Sequence, residues 1–369
     1  MTGTRERWAA YAERTARVSP SYAAWARSLD DDLVALLDAV PAQQRQPELV
    51  FAVARRLGAD PLDPGSLRAL GREARPAFTT ALATATVQAN DPRRLGPVVP
   101  LFAALAAADE RPLGLVDAGA AAGLCSIPDR VTLDHVPLDR VQHARVPAST
   151  TASDRAPLRA SHPVAPGRDA GDGVRPGAVR LHTAVAEPAL HLVVAGSGTA
   201  PAPATTPIRI GARVALDPEP IDPGDPDAFA RLVEAVPPEA TDRVALMREA
   251  ARATLAVPPV RIRGTLPGDL DRALDALPDG VRPVVLTTGT LVYVPGADRQ
   301  RVVDRLRERG VRWVALERTG ILRDVAATLP DEVDATDPDA FATVSLDGVA
   351  VGVCDPFGVR VRWFRRPLG

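Results

Sequence analysis

A short apolar run, an acid and a loop of small residues follow one another in residues 113–123 and could bind a nucleoside. Residues 113–116 predict a buried strand, Asp117 ends it, and Gly119 and Gly123 lie in the loop that follows. Glycine and alanine let a ligand approach the backbone, and the acid can accept hydrogen bonds from the ligand's polar groups. The alternative interpretation is an alanine-rich turn between a strand and a helix that binds nothing.

The spacing of this loop favours one class of ligand. Asp117, Gly119, Ala121 and Gly123 give Asp-x-Gly-x-Ala-x-Gly, which is one glycine short of the loop of S-adenosylmethionine (SAM) methyltransferases. The Gly-x-Gly-x-x-Gly pattern of dinucleotide enzymes does not fit, because alanines stand where its second and third glycines are needed. These four residues are therefore the predicted binding site for the cofactor.

Other polar residues end predicted strands and could complete such a site. Asp217 follows a predicted strand at 213–216, where an acid can hold ribose hydroxyls. Thr287 ends another strand and Tyr293 follows it. Both are candidate catalytic residues that could face a methyl acceptor, and Thr287 is also a candidate for binding the cofactor. The alternative for the threonine is a hydroxyl that bonds to nearby backbone groups.

All histidines of the chain fall within residues 124–206, so a histidine general base would have to come from this segment. They are His135, His143, His162, His182 and His191. Their spacing matches no pair of zinc ligands on one helix face, and exposed loop histidines are the alternative. The acidic stretch at 217–227 lacks the register of a calcium loop, and we expect Asp225 to cap the next helix rather than bind a metal.

Composition excludes several functions. The basic residues are all arginine, so the chain lacks the lysine that P-loop, pyridoxal-phosphate and protein kinase chemistry requires. The net charge of −2 offers no overall field for nucleic acid or an anionic membrane. Cys125 and Cys354 form no metal or disulfide motif, and no signal peptide or long apolar span is present. We expect a cytoplasmic protein that acts on a small molecule, with no nucleic acid, membrane or metal partner.

The predicted elements fall into two regions. Residues 1–110 predict an all-α region, including one continuous helix over 66–87. In residues 111–369 strands and helices alternate, which favours a doubly wound, mostly parallel, Rossmann-like sheet that ends in an antiparallel hairpin. Residues 124–206, rich in Pro, Gly, Ala, Ser and Thr, predict a loop-rich insertion with two short strands, part of it mobile between 148 and 176.

Three stretches resemble the uncharacterised, largely actinobacterial family known as domain of unknown function 2332. They are Gln-Ala-Asn-Asp-Pro-Arg-Arg at 88–94, Asp-Ala-Gly-Ala-Ala-Ala-Gly-Leu-Cys at 117–125 with Pro-Asp-Arg at 128–130, and Asp-Pro-Glu-Pro-Ile-Asp at 217–222. The resemblance covers nearly the whole chain and implies a SAM-methyltransferase-like fold behind a helical N-terminal part.

Two positions depart from the family's pattern. The family often has Phe-His-Ser/Thr where this chain has Leu-Thr-Thr at 286–288, and Gly-Asp where this chain has Gly264 and Thr265. The first departure removes a possible catalytic histidine. The second places Thr265 where an acid could hold the adenine amine.

The leading hypothesis is a SAM-dependent methyltransferase for a small molecule. In-line displacement can rest on positioning, so a strong base is optional. The alternative is a non-catalytic Rossmann-like protein that binds a ligand or serves as a scaffold, since fold alone does not decide activity. An NAD-dependent oxidoreductase is disfavoured by the glycine spacing.

Overall fold

The computed structural model describes residues 3–16, 18–85, 88, 90–138 and 178–367. Within these residues the α-helices are α1 (Thr4–Thr15), α2 (Pro20–Arg27), α3 (Asp31–Asp38), α4 (Pro47–Arg56), α5 (Ser66–Glu73), α6 (Arg75–Thr84), α7 (Leu95–Ala107), α8 (Pro226–Glu234), α9 (Thr241–Ala256), α10 (Leu270–Asp275), α11 (Gly296–Glu308) and α12 (Arg323–Ala326). The strands are β1 (Leu113–Ala118), β2 (Val131–Pro137), β3 (Val179–His182), β4 (Leu190–Gly198), β5 (Ile210–Asp217), β6 (Val260–Arg263), β7 (Arg282–Thr288), β8 (Arg312–Arg318), β9 (Ala342–Leu346), β10 (Val349–Cys354) and β11 (Arg360–Trp363). His143, His162 and the stretch predicted to be mobile at 148–176 lie outside the described residues.

The chain forms two compact units. The first contains residues 1–89 and 225–245, and the second contains residues 90–224 and 246–369. This division differs from a single boundary at residue 110. Helix α7 belongs to the second unit because it packs on the sheet, and α8 belongs to the first because it packs against α4.

The first unit is helical and has an aromatic core. The Phe51 ring lies 4.8 to 5.3 Å from the rings of Tyr22, Trp8 and Trp25, and all four side chains are buried. The helix predicted over 66–87 is two helices, α5 and α6. Pro76 stands in the first turn of α6, where its missing N–H costs nothing, whereas inside a continuous helix it would break a hydrogen bond.

The second unit contains one mixed, mostly parallel sheet of eleven strands within the described residues. Its order is β3-β2-β4-β11-β10-β9-β8-β7-β1-β5-β6. Strands β6, β5, β1, β7 and β8 form one parallel block, and β11, β4 and β2 form a second. Three antiparallel pairings through β9 and β10 separate the blocks, so the second runs opposite to the first.

The segment predicted to be a loop-rich insertion is therefore part of the sheet. Its described portions supply β2, β3 and β4, of which β2 was not predicted. The antiparallel strands β9 and β10 lie in the middle of the sheet rather than at its edge. Sequence order does not reveal this arrangement, because β2 and β4 pair with strand β11 from the far end of the chain.

Helices cover both faces of the sheet. One face packs against α10, α11 and α12 through Val116, Val285 and Ala315 among others. Helix α7, buried along almost its whole length, packs on the opposite face, where its Gly96 lies against Val194 of β4. Among the helices of the described residues, none has both the length and the apolar character needed to cross a membrane.

The carboxyl ends of the first block meet at one edge of the sheet. We call this the carboxyl edge, and β1, β5, β6, β7 and β8 all end there. Because the second block runs the other way, β2 begins at this same edge. The chain that leaves β1 at Ala118 can therefore reach Val131 by a short loop, and the residues predicted to bind a ligand are brought together here.

Candidate functional site

The loop after β1 has an alternating left-handed backbone. The φ angles are +81° at Gly119, +48° at Ala121 and +72° at Gly123. The N–H groups of Gly119 and Ala120 donate to the carbonyl oxygen of Leu216 at 2.7 and 3.2 Å. The loop therefore folds back onto the end of β5. Ala121 has a left-handed backbone conformation that residues with a side chain rarely adopt, whereas glycine would adopt it without strain.

Asp217 holds this loop in place. Its Oδ2 accepts a hydrogen bond from the Ala121 N–H and its Oδ1 accepts one from the Glu219 N–H, each at 2.8 Å. The side chain is buried. Both oxygens thus bond to the backbone of the chain itself, and each keeps further lone-pair capacity for a ligand.

Asp117 points beneath the loop. It is 1% exposed, and its Oδ2 accepts a hydrogen bond of 2.7 Å from the Ser126 hydroxyl. Burial raises the pKa of Asp117 to about 7, while the bond from Ser126 and the positive charge of Arg94 oppose that rise. This acid can therefore gain or lose a proton near neutral pH.

Glu317 is a second buried acid at the carboxyl edge. Its Oε1 and Oε2 accept hydrogen bonds of 3.1 Å from the N–H groups of Thr290 and Leu291. Burial raises the pKa of Glu317 to about 7, although these backbone bonds and one from the Thr287 hydroxyl lower it. The side chain is 3% exposed, so it acts within the protein rather than at its surface.

Thr287 is part of the same hydrogen-bond network. It is fully buried, its hydroxyl accepts a bond of 3.2 Å from Trp313 Nε1, and it bonds to Glu317. The alternative interpretation expected the Thr287 hydroxyl to bond to nearby backbone groups, whereas these two partners are side chains. Tyr293 is 59% exposed and lies outside the buried network.

The space beside Gly119 is filled by Thr290. A Cβ atom on Gly119 would lie 2.2 Å from Thr290 Oγ1 and 2.4 Å from Thr290 Cγ2. The Thr290 hydroxyl donates to the carbonyl oxygen of Ala118 at 2.9 Å. A ligand could reach the backbone at this point only after Thr290 had moved.

The stretch at 88–94 supports the loop from another side. Asn90 Oδ1 accepts a hydrogen bond of 2.8 Å from the Leu124 N–H, and Arg94 donates to the carbonyl oxygen of Thr288 at 2.9 Å. The charge of Arg94 acts on both Asp117 and Glu317. The sequence analysis assigned no role to Arg94 or Glu317. Glu317 is the next-to-last residue of β8, so a search for acids near the ends of predicted strands could have found it.

The remaining predicted site residue lies apart from the buried acids. Thr265 follows β6, is exposed, and donates its N–H to Asp269 Oδ2 at 2.8 Å. The preceding residue, Gly264, donates its N–H to the carbonyl oxygen of Asp217 at 3.0 Å. The backbone thus connects the end of β6 to Asp217, and the side chain of Thr265 remains available to a ligand at the carboxyl edge.

The described histidines lie on β2, β3 and β4, with His135 on β2, His182 on β3 and His191 on β4. His135 and His182 are buried, and burial lowers the pKa of each. Their Nε2 atoms have no hydrogen-bond partner among the described residues. His191 is half-exposed and its Nε2 lies 2.7 Å from Asp134 Oδ2. These histidines therefore belong to the sheet rather than to an inserted loop.

Asp134 differs from the two acids at the carboxyl edge. Arg180 donates to its Oδ1 and His191 contacts its Oδ2. Burial alone would raise the pKa of Asp134, but these two partners outweigh burial and lower it. The acid therefore stays ionised at neutral pH.

Neither cysteine is arranged as a nucleophile. Cys125 and Cys354 are free, fully buried thiols, and burial raises the pKa of both. A thiol with a raised pKa holds little thiolate at neutral pH. Within the parts of the chain that the structure describes, no three His, Cys, Asp or Glu side chains group as metal ligands.

The arrangement can hold a loop of fixed backbone shape beside two acids that titrate near neutral pH.

Comparison with known proteins identifies a family for this chain but no activity. No curated protein and no solved structure matches the chain. The chain does match the family DUF2332, described as an uncharacterised protein conserved in bacteria, over residues 5–363. Because the match covers almost the entire sequence, the chain belongs to the DUF2332 family.

Proposed function

We propose that this protein is a SAM-dependent methyltransferase with a Rossmann-like, doubly wound core. The observation that carries the proposal is the loop at 117–123. It has alternating left-handed residues and is held by Asp217 at the end of the neighbouring strand. The loop lies where β1 stands between β5 and β7, and the order β6-β5-β1-β7-β8 corresponds to 3-2-1-4-5. Ligands bind at such a reversal of strand order in doubly wound folds.

The residues at this edge suit the parts of SAM. Asp117, Gly119, Ala121 and Gly123 would lie along its methionine part, and Asp217 would accept from the ribose hydroxyls with its remaining lone pairs. Thr265, after β6, would lie towards the adenine. When bound, SAM supplies a methyl group activated by its sulfonium. The protein's contribution would then be orientation of the acceptor, with exposed Tyr293 as a candidate contact.

A second function is favoured by a specific observation, the closed state of this edge. Thr290 fills the space beside Gly119, and Thr287 and Asp117 are engaged within the protein. Such contacts within the protein are sufficient for a non-catalytic Rossmann-like scaffold or for a ligand-binding protein without turnover. The two proposals differ in whether a nucleoside binds and whether its methyl group is transferred.

Calorimetry and thermal shift would test the proposal. SAM at about 100 times its dissociation constant should add roughly 2.7 kcal/mol to the free energy of unfolding. In a chain of this length the melting temperature should rise by about 3–4 °C. S-adenosylhomocysteine (SAH), the demethylated product, should give a similar shift, while NAD and ATP should give none.

The outcomes separate the two functions. Binding of SAM together with methyl transfer to an acceptor in a small-molecule panel supports the enzyme. Binding without transfer supports the ligand-binding protein. If neither SAM nor SAH binds folded protein by calorimetry, the SAM proposal is overturned and the scaffold remains.

A further inference from the structure

Thr290 fills the space beside Gly119, the residue of the loop that has no side chain of its own. Its Oγ1, Cγ2 and Cβ atoms lie 2.2, 2.4 and 2.8 Å from the position of a Cβ on Gly119. At these distances an atom at the Cβ position of Gly119 would overlap with Thr290. Glycine at position 119 leaves a space beside the backbone that a ligand atom could enter. The Thr290 side chain fills this space.

Arg299 donates to the carbonyl oxygens of Leu291 and Val292 at 2.7 and 3.3 Å. Four further hydrogen bonds hold the beginning of the segment that carries the Thr290 side chain. The Thr290 hydroxyl donates to the carbonyl oxygen of Ala118 at 2.9 Å. The N–H groups of Thr290 and Leu291 donate to Glu317 at 3.1 Å, and the Gly289 N–H donates to the carbonyl oxygen of Leu316 at 2.8 Å. The hydroxyl bond is the only one of the four that joins the segment to the loop.

Gly289 gives the segment a place to bend. Its φ is +68°, and the Arg94 guanidinium lies against it, with NH1 3.2 Å from the position of a Cβ. Glycine can change backbone conformation here at little steric cost. A change at Gly289 could therefore move the Thr290 side chain off the loop while β7, β8 and the bonds from Arg299 to Leu291 and Val292 stay in place.

We propose that residues 289–293 make an autoinhibitory contact with the Gly119 loop, in which the Thr290 side chain occupies the ligand's place and must leave before a nucleoside binds. This inference rests on the proposed function, since the ligand is the one proposed for that loop. The apparent affinity for a ligand falls by the fraction of molecules that are open. Thr290 would thus set how tightly the site binds.

A series of substitutions at Thr290 tests the contact. Thr290→Ala removes both the hydroxyl and the methyl group, Thr290→Val removes the hydrogen bond but keeps the volume, and Thr290→Ser keeps the bond. The affinity for SAH is measured by calorimetry. Loss of one hydrogen bond should raise the open fraction about fivefold, so Thr290→Ala and Thr290→Val should bind SAH about fivefold more tightly. Thr290→Ser should bind within about twofold of the wild type.

Hydrogen exchange gives a readout that needs no ligand. The amides of Thr290 and Leu291 should exchange about fivefold faster in Thr290→Ala than in the wild type. Thr343→Val is the matched control, because it removes a buried hydroxyl bond of 2.9 Å to Thr319 that does not touch the loop. It should leave both the SAH affinity and the exchange at Thr290 unchanged.

The outcomes distinguish this inference from the proposed function. Tighter binding by Thr290→Ala and Thr290→Val supports the contact, including the case in which the wild type shows no binding. Equal or weaker binding by folded Thr290→Ala overturns the contact and leaves the SAM proposal standing. If no variant binds SAH while exchange at Thr290 is accelerated, the SAM proposal fails and with it the autoinhibitory role.

Discussion

The buried carboxylates of the two parallel blocks of the sheet have different hydrogen-bonding and charged partners. At the carboxyl edge of the first block, Asp117 and Glu317 accept hydrogen bonds from hydroxyl and backbone N–H groups, and burial raises the pKa of both to about 7. On β2 of the second block, Asp134 meets Arg180 and His191, and its pKa is lowered. We call Asp117 and Glu317 the edge acids. At Asp134 the charged partners outweigh burial, whereas at Asp117 and Glu317 burial outweighs the more distant charge of Arg94.

The largest effect is expected from removing an edge acid. Glu317→Ala leaves the N–H groups of Thr290 and Leu291 and the Thr287 hydroxyl without their acceptor in a buried site. Each unsatisfied buried group costs about 1–3 kcal/mol, so the loss of the acceptor for these three groups should lower the free energy of unfolding by at least about 3 kcal/mol. Urea denaturation measures this loss. A change below about 1 kcal/mol would show that the 290–291 turn does not depend on Glu317.

The edge acids should also make stability depend on pH near neutrality. An acid whose pKa is higher in the folded state than in the unfolded state stabilises the fold only while it is protonated. Between about pH 4.5 and pH 7 the unfolded chain releases the Glu317 proton while the folded protein keeps it, which lowers the free energy of unfolding by up to about 3 kcal/mol. The free energy of unfolding of the wild type should therefore decrease between pH 5 and pH 8.

Glu317→Gln sharpens this test because its amide does not titrate. The stability advantage of the wild type over Glu317→Gln should shrink as pH rises from 5 to 8, and urea denaturation at several pH values measures it. A constant difference across that range would contradict a raised pKa at Glu317 in the folded protein.

Local signals in the sequence predicted much of the fold. Asp225 caps α8 through backbone N–H groups, as expected, and Asp30, one of several residues between 28 and 32 that could have capped a helix there, caps α3. Gly310 follows α11 with a φ of +59°. Each of these signals lies within a few residues of the element it governs. The order of the sheet was not accessible in this way, because β2, β4 and β11 come from distant parts of the chain.

In the candidate site, too, local features could be predicted from the sequence and contacts between distant residues could not. The sharp turn at Gly119 and the acid at Asp217 could be anticipated from the sequence, since each ends a predicted strand. The contact between Thr290 and Gly119 could not, because it joins residues some 170 positions apart. Nor could the direction of the Asp217 carboxylate, which turns towards the backbone of its own loop.

A smaller effect is expected at the charged partners in the second block. Asp134→Asn removes the negative charge that Arg180 and His191 contact. Both partners are partly exposed and can turn to water, so the loss of stability at pH 7 should be about 1 kcal/mol. Because the folded pKa of Asp134 is lowered, its contribution is present above pH 4 and is lost as pH falls further. Denaturation of both proteins at pH 7 and pH 3.5 should show the difference shrinking at the lower pH, opposite in direction to Glu317→Gln.

The smallest effect is expected at Ala121, where backbone strain and chain entropy nearly cancel. Ala121→Gly relieves a left-handed conformation that costs an L-residue about 1 kcal/mol or more. It also gives the unfolded chain additional freedom, worth about 0.4–1 kcal/mol. The net change in stability should be within about 0.5 kcal/mol, and the bond from the backbone N–H to Asp217 remains.

Ala120→Gly is the matched control, since Ala120 is also buried but has no left-handed strain. Only the entropy cost applies there, so the free energy of unfolding should fall by roughly 1 kcal/mol. Equal losses in the two variants would show that the strain at Ala121 does not affect stability, and that the loop holds its shape through Asp217 alone.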